Sequence, residues 1–380
     1  MDERIAALQK EAARRGDVIG LSGGLPADDL MPRDSLGRAL AYVATHRDEA
    51  LQYGWPEGTR QLRTWIIARL AMRGVRIHPE RVIITAGAQQ ALSIAATALA
   101  GHATPSSPLA ARSADAPTVT IAVGPATYPG ALDAFRGAGV RMVESHGDAQ
   151  YVTTGIDMPR GTAVDGREVL AASGPIIVDE AYAELRFDGS LPRPLLAGAP
   201  DRVWHIGTIS KTIAPGLRVG WLIPPASQHD AALELKAAAD LHTASICQAA
   251  LARLLSTLDY DALVSRARAV YCDRAERLIT ALRREAPDLA FDDPAGGFSI
   301  WIETDLRCDE TAFLAAALAA GVMVDPGSLF RAARSETLAV RLSYSNAPID
   351  QLGEGARRFV RALLVARPRG VVMNLAQPHQ

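Results

Sequence analysis

The chain predicts an α/β protein, with a large domain built on a mainly parallel sheet and a smaller C-terminal α+β domain. Three observations lead there. Up to Pro225, short β-rich runs alternate with longer helical stretches, the pattern of parallel strands joined by helical crossovers. Beyond Pro225 the text becomes Ala-rich and helical, then returns to strands around a single helix. The length, 380 residues, exceeds what one hydrophobic core usually organises. The expected division is an N-terminal arm over 1–40, a large domain over 41–257 and a small domain over 258–380.

In chain order, the large domain is expected to hold strands over 81–85, 119–123, 139–143, 176–178, 203–206 and 218–222. Helices are expected over 61–72, 89–100, 130–137 and 168–172. The stretch 231–256 reads as helical and Ala-rich. Apolar or small residues at Leu263, Ala267, Val270, Ala275, Leu278 and Leu282 fall close to helical period and predict a helix over 262–284. Strands over 297–302, 322–324 and 339–344 then enclose a helix over 310–320. One segment is compositionally biased: 102–117 is rich in Ala, Pro and Ser without an apolar period and reads as a mobile surface loop.

Composition excludes several function classes. Lys+Arg 40 against Asp+Glu 42 leaves a net charge of −2, without the basic field that nucleic-acid binding requires. Cys247, Cys272 and Cys308 are odd in number and widely spaced, which fits neither a disulfide framework nor a thiolate zinc site. The histidines show no metal-ligand spacing, so no metal is expected. Residues 1–16 are charged and lack the apolar core of a signal peptide. The longest apolar run, 312–324, is too short for a bilayer and reads as a packed helix running into a strand. A cytoplasmic protein with no membrane partner is the expectation.

The chemistry concentrates in Gly207-Thr208-Ile209-Ser210-Lys211-Thr212-Ile213-Ala214-Pro215-Gly216-Leu217-Arg218-Val219-Gly220-Trp221. A lone lysine after a strand is ordinarily a surface charge. Here hydroxyls stand at −3 and −1 and an arginine at +7, in a stretch otherwise apolar or glycine-rich. Hydroxyls with a guanidinium make a good phosphate-binding set. A lysine beside a bound phosphate suggests a phosphate-bearing aldehyde held as a Schiff base, which is pyridoxal phosphate.

The segment resembles the lysine signature of the fold-type I pyridoxal-phosphate enzymes, the aspartate aminotransferase superfamily, which often read S-x-S-K-x-x-x-P-G-x-R-x-G-W. That resemblance implies the family's fold, with a mainly parallel seven-stranded sheet. It also implies Lys211 as the Schiff-base lysine, with Thr208, Ser210 and Arg218 on the cofactor phosphate. Upstream, Ile176-Ile177-Val178-Asp179-Glu180-Ala181-Tyr182 matches the family's strand ending in D-x-A-Y. By resemblance Asp179 would hold the pyridine nitrogen protonated and Tyr182 would bond the ring 3-oxygen. The turn Ala86-Gly87-Ala88-Gln89 opens a helix whose free N–H groups attract phosphate, and the resemblance assigns Gly87, Ala88 and Gln89 to that task. Pro125-Ala126-Thr127-Tyr128-Pro129-Gly130 matches a turn whose tyrosine, here Tyr128, stacks on the ring.

Other motifs bear on assembly and substrate. Gln52-Tyr53-Gly54 followed by Gly58 resembles the family's Q-Y-G-x-x-x-G, which implies a homodimer in which Tyr53 reaches the neighbouring cofactor phosphate. Val340-Arg341-Leu342-Ser343-Tyr344 resembles the strand whose arginine clamps the substrate α-carboxylate. Leu21-Ser22-Gly23-Gly24-Leu25-Pro26 resembles the substrate-covering arm of 2-aminoadipate-type aminotransferases, which puts Gly24 at the substrate. Asp28 and Asp29 just beyond it read either as acids facing a basic substrate side chain or as helix-start acids. The resemblance runs from about residue 18 to about residue 345, with the motifs in order.

One motif departs. Where the family has N-P-T-G, this chain has Met158-Pro159-Arg160-Gly161, which puts Met158 in place of the asparagine that bonds the ring 3-oxygen. The implied activity is transfer of an amino group from an L-amino acid to a 2-oxo acid by a ping-pong route. A pyridoxal-phosphate lyase or cyclase of amino-acid metabolism is the alternative that the departure keeps open. An effector-sensing domain like that of MocR-type regulators, which also depart at this motif, is the third reading. The net charge and the short stretch before the arm motif weigh against it.

Overall fold

The computed structural model describes residues 3–101 and 118–366. The biased segment 102–117, expected as a surface loop, lies outside the described residues. The chain opens with α1 (Glu3–Arg14), β1 (Ile19–Leu21), α2 (Arg33–His46) and α3 (Arg60–Met72). There follow β2 (Ile83–Thr85), α4 (Ala88–Leu99), β3 (Thr120–Ala122), α5 (Pro129–Gly137), β4 (Arg141–Val143) and β5 (Ala149–Thr153). A two-residue ribbon, β6 (Gly155–Ile156) with β7 (Ala163–Val164), precedes β8 (Ile176–Asp179), β9 (Val203–Thr208) and β10 (Gly220–Ile223). Helices α6 (His229–Asp240), α7 (Ser245–Leu255) and α8 (Tyr260–Glu285) lead to β11 (Ser299–Glu303) and α9 (Glu310–Ala319). The described chain ends in β12 (Val322–Pro326), β13 (Ala339–Ser343) and α10 (Ile349–Ala366).

Seven strands form the large sheet in the order β2-β10-β9-β8-β5-β3-β4. Its ladders are parallel from β9 through β8, β5 and β3 to β4, and antiparallel on both sides of β10. The central strands β8 and β9 are buried along their whole length and read as near-continuous apolar runs, as a sheet covered on both faces requires. One face is covered by Leu62, Ile66 and Leu70 of α3 with Leu251 and Leu254 of α7. The other is covered by Leu92 and Ile94 of α4 with Leu132 and Phe135 of α5. The spacing of four residues in α3 is the stripe that a helix lays on a sheet.

A second sheet, β1-β12-β13-β11, packs under α8, α9 and α10. Its edge strand β1 comes from the N-terminus and runs parallel to β12, Leu21 beside Val324. The arm therefore begins from this sheet, which sets where Gly23 and Gly24 can lie.

Several expectations are corrected. The stretch 231–256 is not continuous helix: it breaks between α6 and α7 where Leu241 takes φ 63°. Tertiary bonds hold the break. The Thr243 hydroxyl donates to Ile84 O (3.2 Å), Gln248 Nε2 donates to Thr243 O (2.7 Å), and Thr59 N–H donates to Gln248 Oε1 (2.8 Å). Strand β5 is not among the expected elements, because Gln150 and Thr153 interrupt its apolar run; it is specified by its neighbours β3 and β8. The helix expected over 168–172 is only a 3-10 turn, Arg167–Ala171. The run 312–324 is a packed helix entering a strand, as read.

Candidate active site

The C-terminal ends of β8, β9 and β2 open on one side of the sheet, the usual place for a ligand in an open α/β fold. A cavity there is lined by Ala88, Gln89, Tyr128, Asp179, Tyr182, Thr208, Ser210, Lys211 and Arg218, every one expected from sequence. Thr153, Ile156, Met158, Ala181 and Pro215 complete its wall.

One end of the cavity is an anion cradle. Gly87 caps α4 with φ 78° and no side-chain cap, so the first N–H groups of the helix are free for a ligand. A Cβ on Gly87 would lie 2.5 Å from Arg218 Nη2, so only glycine lets the guanidinium close on the turn. Arg218 itself sits at φ 51°, and its Nη2 donates to Ala86 O (2.9 Å). The Thr208 hydroxyl donates to Val219 O (2.9 Å) and lies 2.9 Å from Ser210 Oγ. Gly220 completes the cradle: a Cβ there would lie 2.8 Å from Ala88 N, so its absence lets β10 pass close behind the helix start. The Gln89 side chain is spent elsewhere, donating to Gly130 O (2.7 Å) and bracing the turn that carries Tyr128.

The opposite end carries the titratable groups. Asp179, the last residue of β8, is buried and accepts from Ala181 N–H (2.9 Å) and from the Tyr151 hydroxyl (3.2 Å). Burial raises its pKa above the ordinary carboxylate value, against the opposing pull of the Ala181 N–H, Tyr151 and Lys211. Lys211 Nζ lies 5.3 Å from the Tyr182 ring centre and 5.8 Å from that of Phe298. Burial is the main cause that lowers its pKa; Arg341 and Arg218 lower it further, while Tyr128 and Asp179 oppose. Burial likewise raises Tyr182 and Tyr128. Met158 forms wall where an asparagine would have offered an amide, its thioether supplying no N–H.

The arm closes over this end. Gly24 O accepts from Lys211 Nζ (3.3 Å), and a Cβ on Gly24 would lie 3.0 Å from Arg341 Nη1. Arg341 is buried on β13. Asp29 is bound to Arg274 of α8 (3.2 Å), tying the arm to that helix, and Asp28 is exposed beside Arg33. Tyr53 is not in this cavity: it is 83% exposed on the surface, edge-on to His242.

Two contributors were missed from sequence. Tyr151, two residues before the end of β5, supplies the hydroxyl on Asp179; its signal was an aromatic on the inward face of an unrecognised strand. Asp325 of β12 pairs with Arg341, and a single carboxylate inside Val322-Met323-Val324-Asp325 was its signal. The donors and the shape suit a phosphorylated pyridine aldehyde: a cradle emptied of Cβ atoms, a buried carboxylate, and a partly desolvated amine within one cavity.

Comparisons with known proteins agree. A family model described as aminotransferase class I and II matches residues 151–359. The 2-aminoadipate transaminase of Thermus thermophilus is 29% identical, over 92% of this chain and 91% of that protein. The HTH-type transcriptional regulator YisV of Bacillus subtilis, uncharacterised, is 28% identical over 90% of this chain and 73% of the regulator. Among solved structures, the α-aminoadipate aminotransferase LysN from Thermus thermophilus, complexed with N-(5'-phosphopyridoxyl)-L-leucine, matches with a TM-score of 0.79. It is 27% identical, covering 96% of this chain and 97% of that one. A kynurenine aminotransferase from Pyrococcus horikoshii shares the fold, with a TM-score of 0.83 at 24% identity over 95% and 94% of the two chains.

Proposed function

The chain belongs to the class I and II aminotransferases, and we propose that it moves the amino group of an amino acid to a 2-oxo acid with pyridoxal phosphate. The observation that carries this reading is the meeting of Lys211 and Asp179 in one cavity with the Gly87–Arg218 cradle. When bound, the cofactor supplies a carbonyl carbon that takes up the amino group and a ring that draws electron density from the donor's α-carbon.

Each residue's part follows from its surroundings. The phosphate would be held by Arg218, Thr208, Ser210 and the N–H groups of Ala88 and Gln89; the Gly87 N–H, expected to join them, is spent on Thr85 O (2.8 Å), and that glycine serves by its missing Cβ. Asp179, fixed by Tyr151 and the Ala181 N–H, offers a buried carboxylate to the ring nitrogen. Tyr128 would stack on the ring and Tyr182 would give its 3-oxygen the hydroxyl donor that Met158 cannot supply. Lys211, whose ammonium form burial disfavours, is suited to take a proton from the donor's α-carbon and would return it to the cofactor carbon that receives the amino group. Arg341 would receive the α-carboxylate, and the Gly24 carbonyl, which accepts from Lys211 Nζ, brings the arm onto the amine.

We further read the protein as a cytoplasmic homodimer with a biosynthetic role. The three cysteines are all unpaired, in keeping with a reducing compartment. Leu51, Tyr53 and Trp55 form an exposed apolar patch, the kind of surface that a partner subunit covers. No helix among the described residues is long and apolar enough to cross a membrane.

The test is an absorbance spectrum of the protein with pyridoxal phosphate, repeated after adding single amino acids without an oxo acid. A Lys211-dependent visible band that bleaches with one of them and returns with a 2-oxo acid supports the reading. Product release while the band persists would point instead to a lyase or cyclase.

A further inference from the structure

The arginine of the carboxylate position is already paired. Asp325 stands directly opposite Arg341 in the β12–β13 register, and opposed residues of an antiparallel pair share a face. Asp325 Oδ2 accepts from Arg341 Nε (3.0 Å) and Nη2 (2.6 Å), and from the Gly23 N–H of the arm (2.9 Å). The two side chains are 6% and 8% exposed. Arg341 Nη1 makes no protein hydrogen bond among the described residues, and Gly24 packs against it. One edge of the guanidinium is therefore taken by a resident carboxylate, and the arm is tied to the same oxygen.

We propose that Asp325 is a specificity-determining residue that weakens the hold of the site on an α-carboxylate, so that donors are selected by the rest of their structure. This rests on the transamination reading. A carboxylate gains most from arginine when two parallel N–H groups meet both its oxygens. Here Asp325 already holds two of the five N–H groups and balances the charge, so an incoming carboxylate meets only the remaining Nη1 and Nη2 N–H groups of a neutral pair, with Gly24 packed against Nη1. It must also approach a second carboxylate, and like charges side by side are penalised. Leaving Arg341 buried and unpaired would be costly, so Asp325 also keeps the empty site stable between turnovers.

The probes are 2-methylalanine, which has no α-proton and so binds without turnover, and its carboxamide, which keeps the shape and loses the charge. Dissociation constants are read from the shift in the visible band of the pyridoxal-phosphate-loaded protein. Wild type is expected to bind the two within about tenfold of each other, and Asp325→Asn to tighten 2-methylalanine by on the order of tenfold while leaving the amide unchanged. Asp325→Ser, smaller and still an acceptor for Gly23 N–H, should act the same way and covers a failure of the first variant to fold. Wild type preferring the carboxylate by about a hundredfold would overturn the proposal with no variant needed. So would weaker 2-methylalanine binding in both variants, which would make Asp325 a prop for Arg341. Absence of any Lys211-dependent band overturns the transamination reading as well, and is seen before a probe is added.

Discussion

Asp179, the residue proposed to meet the cofactor's ring nitrogen, burdens the folded protein by its burial. Burial raises its pKa from the unfolded value of 3.8, so in the pH range above 3.8 the folded apoprotein binds more protons than the unfolded chain. Stability therefore falls as pH climbs through that window, and the cost is fully present above the raised pKa. Asp179→Asn should stabilise the apoprotein near neutral pH, with no advantage below pH 3.8. If the proposed role holds, the same change should cut turnover roughly 10²–10³-fold by removing the charge assigned to the ring nitrogen. Paired thermal melts of apoprotein across pH, beside transamination rates, check both halves. Gly87→Ala is the matching probe of the cradle. It forces a side chain into φ 78° and towards Arg218 Nη2, and should cost about 1 kcal/mol of stability. Equilibrium dialysis should show pyridoxal phosphate held on the order of tenfold more weakly, as expected for losing a charge-assisted contact. These residues were legible in the sequence because each sits in a short contiguous motif, Asp179 in D-x-A-Y and Gly87 in the Ala86-Gly87-Ala88-Gln89 turn. Tyr151 and Asp325 were not, since each acts from a strand whose partner is distant in sequence, Tyr151 on Asp179 and Asp325 on Arg341.

At the scale of elements, what could be read depended on whether a segment's neighbours were needed to define it. Strands β8 and β9 announce themselves by continuous apolar text, and α8 by its period. Strand β5 and the break after α6 do not, because polar residues there are satisfied only by partners elsewhere, as Thr243 is by Ile84 O. Helix α10 carried an apolar stripe at Leu352, Ala356, Phe359 and Leu363 that could have been found. The break has a measurable cost. Leu241 is 51% exposed and held at φ 63° and ψ −56°, a conformation that a branched side chain adopts only under constraint. Leu241→Gly should relieve it and raise stability by about 1 kcal/mol, visible as a higher urea midpoint with an unchanged slope. A fall in midpoint would mean that the leucine packs against something worth more than the strain, such as a second subunit.

For the whole molecule the decisive question is where Tyr53 acts. It lies on the surface with 83% of its area exposed, beside exposed Leu51 and Trp55 and outside the wall of its own cavity. If the protein is the dimer proposed here, each site joins Lys211 of one subunit to Tyr53 of the partner subunit. Two defective variants then repair each other. Lys211→Ala homodimers lack the amine in both sites, and Tyr53→Ala homodimers lack the crossing hydroxyl in both. In a mixed dimer one site inherits both defects, while the other combines an intact Lys211 with an intact Tyr53. Random reassortment makes half the dimers mixed, each with one working site of two, so activity should recover to about a quarter of wild type. A Tyr53 that served its own subunit would leave every site of the mixed dimer defective, and no activity would return. The recovery needs subunit exchange, so it should appear only after the pair is unfolded and refolded together or co-expressed. Light scattering on the separate variants must show both still dimeric, because a Tyr53→Ala protein that ran as a monomer would make its loss one of assembly.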